Sequence, residues 1–168
     1  FLAGYVRDAA VQFGRVLVMP NTLPPITEAL QLREYKRQIE NAAPGLEALM
    51  TFKLHSQYTR EDLLLLKSVG AIAGKYYPAG VTTHSEDGIS EFESILPVIA
   101  EMEKLDLVLC LHGEEPGVFC LDRERVFLRH VETLIRLFPN LRIVLEHLST
   151  RDAVDAVRAW PDRVAATI

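Results

Sequence analysis

Several features that would settle a protein's class at once are scarce or missing in this sequence. Two cysteines in 168 residues, Cys110 and Cys120, form neither a disulfide framework nor a metal-ligand spacing, so both read as reduced thiols, with Cys110 inside a strand. No run approaches the roughly 18 consecutive apolar residues of a membrane span. No basic-then-apolar signal precedes the first helical pattern, which makes the cytoplasm the expected location. Lysine and arginine total 18 against 23 aspartates and glutamates, a formal net charge of −5, and that balance argues against a nucleic-acid or anionic-membrane surface. A glycine-rich loop of the G-x-G-x-x-G or P-loop kind is also missing, so nothing marks a nucleotide site. What is present is a chain 49% hydrophobic and 24% charged, the composition of a soluble globular protein long enough to bury a core as one domain, residues 1–168.

Along the chain, helical and strand patterns alternate. Leu2, Val6, Ala9, Ala10 and Phe13 share a helical face ahead of Gly14, and Arg15 to Met19 reads as a strand. After the proline-rich turn at 20–25, Thr27 is placed to cap a helix running to about Ala43, closed by Pro44 and Gly45. Leu49 to Leu54 is the next strand, ending at His55. Thr59 with Asp62 makes a capping box for a helix that Gly70 ends, and Ser90 with Glu93 predicts a second box opening a helix that Pro97 kinks. A helix from Asp122 to Phe138, a short one through Asp152 to near Trp160, and a strand from Val164 complete the pattern.

Three strands end in residues that carry chemistry. Ala71 to Gly74 leads into Lys75, Leu107 to Leu111 into His112, and Arg142 to Glu146 into His147. A parallel sheet would gather Lys75, His112 and His147 at its carboxyl edge, where α/β folds keep their active sites. Burial disfavours a lysine ammonium, so Lys75 there lowers its pKa, finds a carboxylate or is chemically changed. By itself a strand-end lysine more often snorkels into solvent.

About six βα units with crossovers of this length predict an α/β fold of the (β/α)8 TIM-barrel type, short of the eight units and about 250 residues of a complete barrel. Phe1 falls in a helical pattern and Ile168 in a strand pattern, so the expectation is one partial domain, the middle of a larger barrel. A self-contained doubly wound sheet is the competing architecture.

A neutral lysine amine at a dry strand end can add carbon dioxide and become a carbamate, an anionic ligand able to bridge two divalent ions. Neutral imidazoles with such an oxygen donor suit zinc. Two ions about 3.5–4 Å apart can hold a hydroxide and polarise an amide carbonyl. This makes a metal-dependent hydrolase the chemistry to expect.

The segments Val18 to Pro25 (VMPNTLPP), Gly74 to Thr83 (GKYYPAGVTT), Leu111 to Glu114 (LHGE) and Glu146 to Asp152 (EHLSTRD) together resemble dihydroorotase of the shorter bacterial type, in the amidohydrolase superfamily. That resemblance implies a barrel metallohydrolase with two zinc ions per intact subunit, bridged by N6-carboxylated Lys75. It would interconvert (S)-dihydroorotate and N-carbamoyl-L-aspartate in pyrimidine biosynthesis, as a cytoplasmic homodimer with a small-molecule substrate.

By the same resemblance His112 and His147 ligate the second metal, and His112 also lies beside the substrate. Asn21 binds the substrate carboxylate, and Thr82 and Thr83 belong to a loop that closes over the site. His55, His84 and His130 are assigned no such role; the first reads as a rim residue and the other two as solvated. The family's His-x-His pair with its following arginine would precede Phe1, and its proton-shuttling aspartate would follow Ile168. The 168 residues alone are therefore expected to be inactive. Another cyclic amidase, such as a dihydropyrimidinase or allantoinase, and a catalytically silent scaffold domain are the alternatives.

Overall fold

In the computed structural model of the protein, which describes residues 1–81 and 88–168, helix and strand alternate throughout. α1 (Leu2–Gln12) leads to β1 (Arg15–Val18), α2 (Ala29–Ala42) to β2 (Glu47–Lys53) and α3 (Arg60–Ser68) to β3 (Ala71–Tyr76). α4 (Leu96–Lys104) leads to β4 (Val108–His112), α5 (Arg123–Leu137) to β5 (Ile143–Glu146) and α6 (Arg151–Ala159) to β6 (Val164–Ala166). Every neighbouring strand pair is parallel, and the strands lie in the order of the chain, β1 to β6.

That order decides the architecture. A doubly wound sheet reverses its strand order and carries helices on both faces. Here there is no reversal, and α1 packs on α2, α2 on α3, α3 on α4 and α5 on α6, a single helical layer over one face. This is the construction of a (β/α)8 barrel, with six of its strands among the described residues.

Because successive strand side chains point to opposite faces, each strand divides its residues between two environments. Met50, Phe52, Tyr76, Leu109, Leu111, Ile143 and Leu145 join the apolar core beneath the helices. Thr51, Lys53, Ala73, Lys75, Cys110 and His112 are buried outside that core, on the helix-free face. Gly74 points to the helices: a Cβ there would lie 2.9 Å from the Met102 side chain and 2.9 Å from the Phe52 ring. A register shift between Met50 and Thr51 inserts one extra β3 residue into the β2–β3 ladder, which then pairs Lys53 with Lys75.

The local signals resolve differently from place to place. The Thr59–Asp62 box forms, with Asp62 N–H donating to Thr59 Oγ1 at 3.2 Å and Thr59 N–H to Asp62 Oδ2 at 2.9 Å. Gly70 follows α3 at φ 102°, a conformation that favours glycine. α2 starts after Glu28 rather than Thr27, because the Gln31 carboxamide accepts the N–H groups of both residues. Ser90 and Glu93 make no box: Phe92–Ile95 is a 3-10 turn, and Pro97 sits in the first turn of α4, where its missing N–H breaks no bond and no kink is needed.

Candidate metal centre

β3 places Lys75 one residue before its end, and β4 places His112 as its last residue. Lys75 is paired in register with Cys110, and His112 with Glu146. His147 follows β5 directly, in the left-handed region at φ 45°, a conformation a non-glycine residue adopts only when its surroundings impose it. The His112 and His147 rings, 35 positions apart in sequence, meet near edge to face with centroids 4.7 Å apart.

Lys75 is 2% exposed. Burial lowers its pKa to about 8, against the opposing charge of Glu146. Its Nζ lies 5.5 Å from the centroid of the Tyr77 ring, and Tyr77 in turn stands 6.4 Å from His112. Burial also lowers the His112 pKa, and the neighbouring His147 adds to that, while Glu114 opposes it. Both effects favour the uncharged amine and imidazole that carbamate formation and metal ligation require.

Carboxylates frame the set. Glu114 Oε1 is 2.9 Å from His112 Nε2, and its Oε2 accepts at 3.4 Å from Arg123, whose guanidinium also donates to Val118 O at 3.0 Å. Glu146 Oε1 is buried without a hydrogen bond among the described residues. Beside it, burial and then the Glu146 charge push the Cys110 thiol up to about 12, so Cys110 stays a thiol. A cavity of about 440 Å³ opens from this edge between Gly113, Glu114, Glu146 and His147.

Among the described residues no group of three His, Cys, Asp or Glu side chains forms a ready-made metal cage. Lysine, not one of those four types, sits here with two imidazoles and a carboxylate oxygen still lacking a partner. That donor set fits a divalent ion only if Lys75 is converted to an oxygen ligand.

The other sequence candidates fall elsewhere. Asn21 is exposed in the loop that leaves the carboxyl end of β1. Thr82, Thr83 and His84 lie outside the described residues. His55 is a rim residue, stacked on Tyr58 with centroids 3.6 Å apart and lining a separate cavity with Thr27 and Asp62. His130 is not solvated: it packs on Phe92 and Phe127 and pairs with Glu115 at 2.8 Å, because α5 turns it inward beneath the loop after β4. Sequence reading missed the environment of the Glu146 carboxylate and the cover that Tyr77 gives Lys75. The Glu-His pair at 146–147 was its only trace.

No protein-family model matches the chain. It is 41% identical over 169 residues to dihydroorotase of Shewanella halifaxensis, an alignment covering 97% of this chain and 49% of that protein. The crystal structure of dihydroorotase from Campylobacter jejuni superposes with a TM-score of 0.91 at 32% identity, over 99% of this chain and 49% of the other. That of dihydroorotase from Saccharomyces cerevisiae, in complex with 5-fluoroorotic acid, gives 0.89 at 32% identity, over 99% and 50%. The chain is thus similar to dihydroorotases nearly from end to end, and it spans about half the length of the curated relatives it matches.

Proposed function

We infer that the chain belongs to the dihydroorotase family, and we propose that its parent protein catalyses reversible hydrolysis of (S)-dihydroorotate to N-carbamoyl-L-aspartate. The observation that carries this reading is the buried Lys75, its pKa brought down to about 8, beside two imidazoles 4.7 Å apart at the carboxyl edge of a barrel sheet.

Residues 1–168 would be one partial domain, holding the bridging lysine and one metal's imidazoles. Lys75, carboxylated on Nζ, with His112 and His147 would hold zinc, and a zinc pair supplies Lewis-acid polarisation of the ring amide carbonyl. His112, with its Nε2–H directed to Glu114, keeps the Nδ1 lone pair for coordination, and Glu114 fixes the ring's tautomer and direction. Tyr77 and the burial around Lys75 keep water from the amine, and the lowered pKa raises the uncharged fraction that can react with carbon dioxide. Asn21 would hold the substrate carboxylate and so orient the ring, His112 would border the substrate, and Thr82 and Thr83 would help close the site. The expected setting is a cytoplasmic homodimer acting on a small molecule. No helix among the described residues is long and apolar enough to cross a membrane.

The test is dihydroorotate turnover by the natural-length protein loaded with zinc, beside its Lys75→Ala variant. Turnover that disappears with the lysine supports the reading. Turnover that survives in Lys75→Ala, or a zinc-loaded wild type with no turnover, overturns it.

A further inference from the structure

His147 owes its position to an irregularity in the sheet. In a regular parallel ladder, a residue's N–H and C=O bond to two residues of the next strand that lie two positions apart. Thr167, just past β6, donates its N–H to Leu145 O at 3.1 Å, but its C=O accepts from Leu148 N–H at 2.8 Å. Regular pairing would have used His147. One extra residue is therefore accommodated on the β5 side, and His147 is the bulged one, at φ 45°.

The bulge leaves the His147 N–H without a ladder partner. It is taken by the side chain of Thr167, whose Oγ1 accepts it at 2.7 Å. The same hydroxyl donates a hydrogen bond to Glu146 Oε2, 3.3 Å away. One hydroxyl thus accepts from one residue and donates to the one before it, and both flank the turn that aims the imidazole at His112. The orphaned N–H would otherwise favour the regular register, which would turn the ring away.

We infer that Thr167 is a positioning residue for the metal centre: its hydroxyl, bridging His147 N–H and the Glu146 carboxylate, stabilises the bulge that presents His147 as a ligand. This rests on the reading of His147 as a zinc ligand, so that reading needs its own control. Bulges beside active sites commonly serve to re-aim a side chain, and groups that orient ligands typically contribute about 10–100-fold in metal affinity.

The experiment measures zinc affinity of the natural-length protein by competition with a chromogenic chelator, for wild type, Thr167→Val, Thr167→Ser and His147→Ala. Thr167→Val keeps the side-chain shape without the hydroxyl. It is expected to retain the wild-type circular dichroism spectrum in the metal-free state and to bind one of its zinc ions about 10–100-fold more weakly. Thr167→Ser, which restores both hydrogen bonds, is expected within about threefold of wild type by the same reasoning. Wild-type affinity in Thr167→Val, with zinc weakened in His147→Ala, overturns the inference and leaves the ligand assignment standing. So does a Thr167→Ser variant as weak as Thr167→Val, or a Thr167→Val variant that loses its fold, since the hydroxyl would then serve the fold and not the ligand. Undiminished zinc in His147→Ala overturns the ligand reading and the inference with it.

Discussion

Lys75 and Tyr77, two positions apart, fall on the same side of the extended chain at the end of β3, and the lysine amine lies over the tyrosine ring, Nζ to centroid 5.5 Å. The ring excludes water and offers only its π face in return. Such a contact is worth about 2 kcal/mol or somewhat more when desolvated, less than full burial of an ammonium costs.

The lysine should therefore destabilise the metal-free protein at neutral pH. Its folded-state pKa of about 8 lies below the ordinary lysine value of 10.5, so between those values the unfolded chain binds more protons and stability rises with pH. The full penalty, about 3 kcal/mol, is present below that window. In carbon-dioxide-free buffer without zinc, Lys75→Met is expected to be more stable than wild type by about this amount at pH 7. The gap should narrow towards pH 10, as read from urea unfolding at both pH values. A gap that stays constant with pH would mean that Lys75 is not held in the environment described.

Glu124 is expected to be the costliest single charge to remove. It is 8% exposed on α5 and accepts from the N–H of Ser149 at 2.9 Å, the N–H of Thr150 at 2.7 Å, and both hydroxyls. It thereby anchors the start of α6 and the loop after His147. Glu124→Ala leaves those donors unmet and should lower unfolding free energy by about 2–4 kcal/mol, measured by urea denaturation. A loss near zero would show that water replaces the carboxylate freely.

Gly74→Ala tests the packing under Lys75. The new methyl would meet Met102 and Phe52 at 2.9 Å, and overpacking of this kind costs about 1–3 kcal/mol. Because Phe52 is wholly buried, the relief must come from making it smaller. The double variant Gly74→Ala with Phe52→Leu should recover part of the loss, a non-additive result in a double-mutant cycle. Strict additivity would place the strain elsewhere.

Asn21→Ala probes substrate recognition apart from metal binding. Losing a hydrogen bond to a carboxylate should reduce kcat/KM for dihydroorotate by about 10–100-fold in the natural-length enzyme, with zinc content unchanged. An unaltered kcat/KM would remove Asn21 from the substrate site and favour a different cyclic amide as substrate.

Much of this was legible before any coordinates. The alternation of 3.6- and 2-residue periods gives each strand, and each helix but α3 and α4, to within about two residues, because apolar faces must be buried wherever the elements pack; α3 starts three residues earlier than its apolar pattern and α4 starts at Leu96, well after Ser90. Lys75, His112 and His147 stood out since polar residues at the ends of buried strands need a reason. The Thr59–Asp62 box was readable because both its partners are local. Ser90 and Glu93 have the same spacing but form no box, since the chain there is bound to Phe92 in the core and turns as a 3-10 segment. His130 looked solvated because only the tertiary fold brings Glu115 and two phenylalanines against it. The bulge at His147 was invisible for the same reason: its evidence is a pairing with Thr167, 20 positions away.

The single extra residue in the β2–β3 ladder also sets a parity. Along β3, odd-numbered Ala73 and Lys75 face the chemistry, and even-numbered Gly74 and Tyr76 face the helices. Deleting the extra residue, Ile72, would leave a regular ladder that still pairs Lys53 with Lys75, whereas inserting one residue between Ala73 and Lys75 would exchange the two sets, sending the amine into the apolar layer and the Tyr76 ring into the candidate metal centre. A change in length by one is therefore absorbed at Ile72 but inverts the strand anywhere from Ala73 to Lys75, so the segment that carries the amine is confined to replacement.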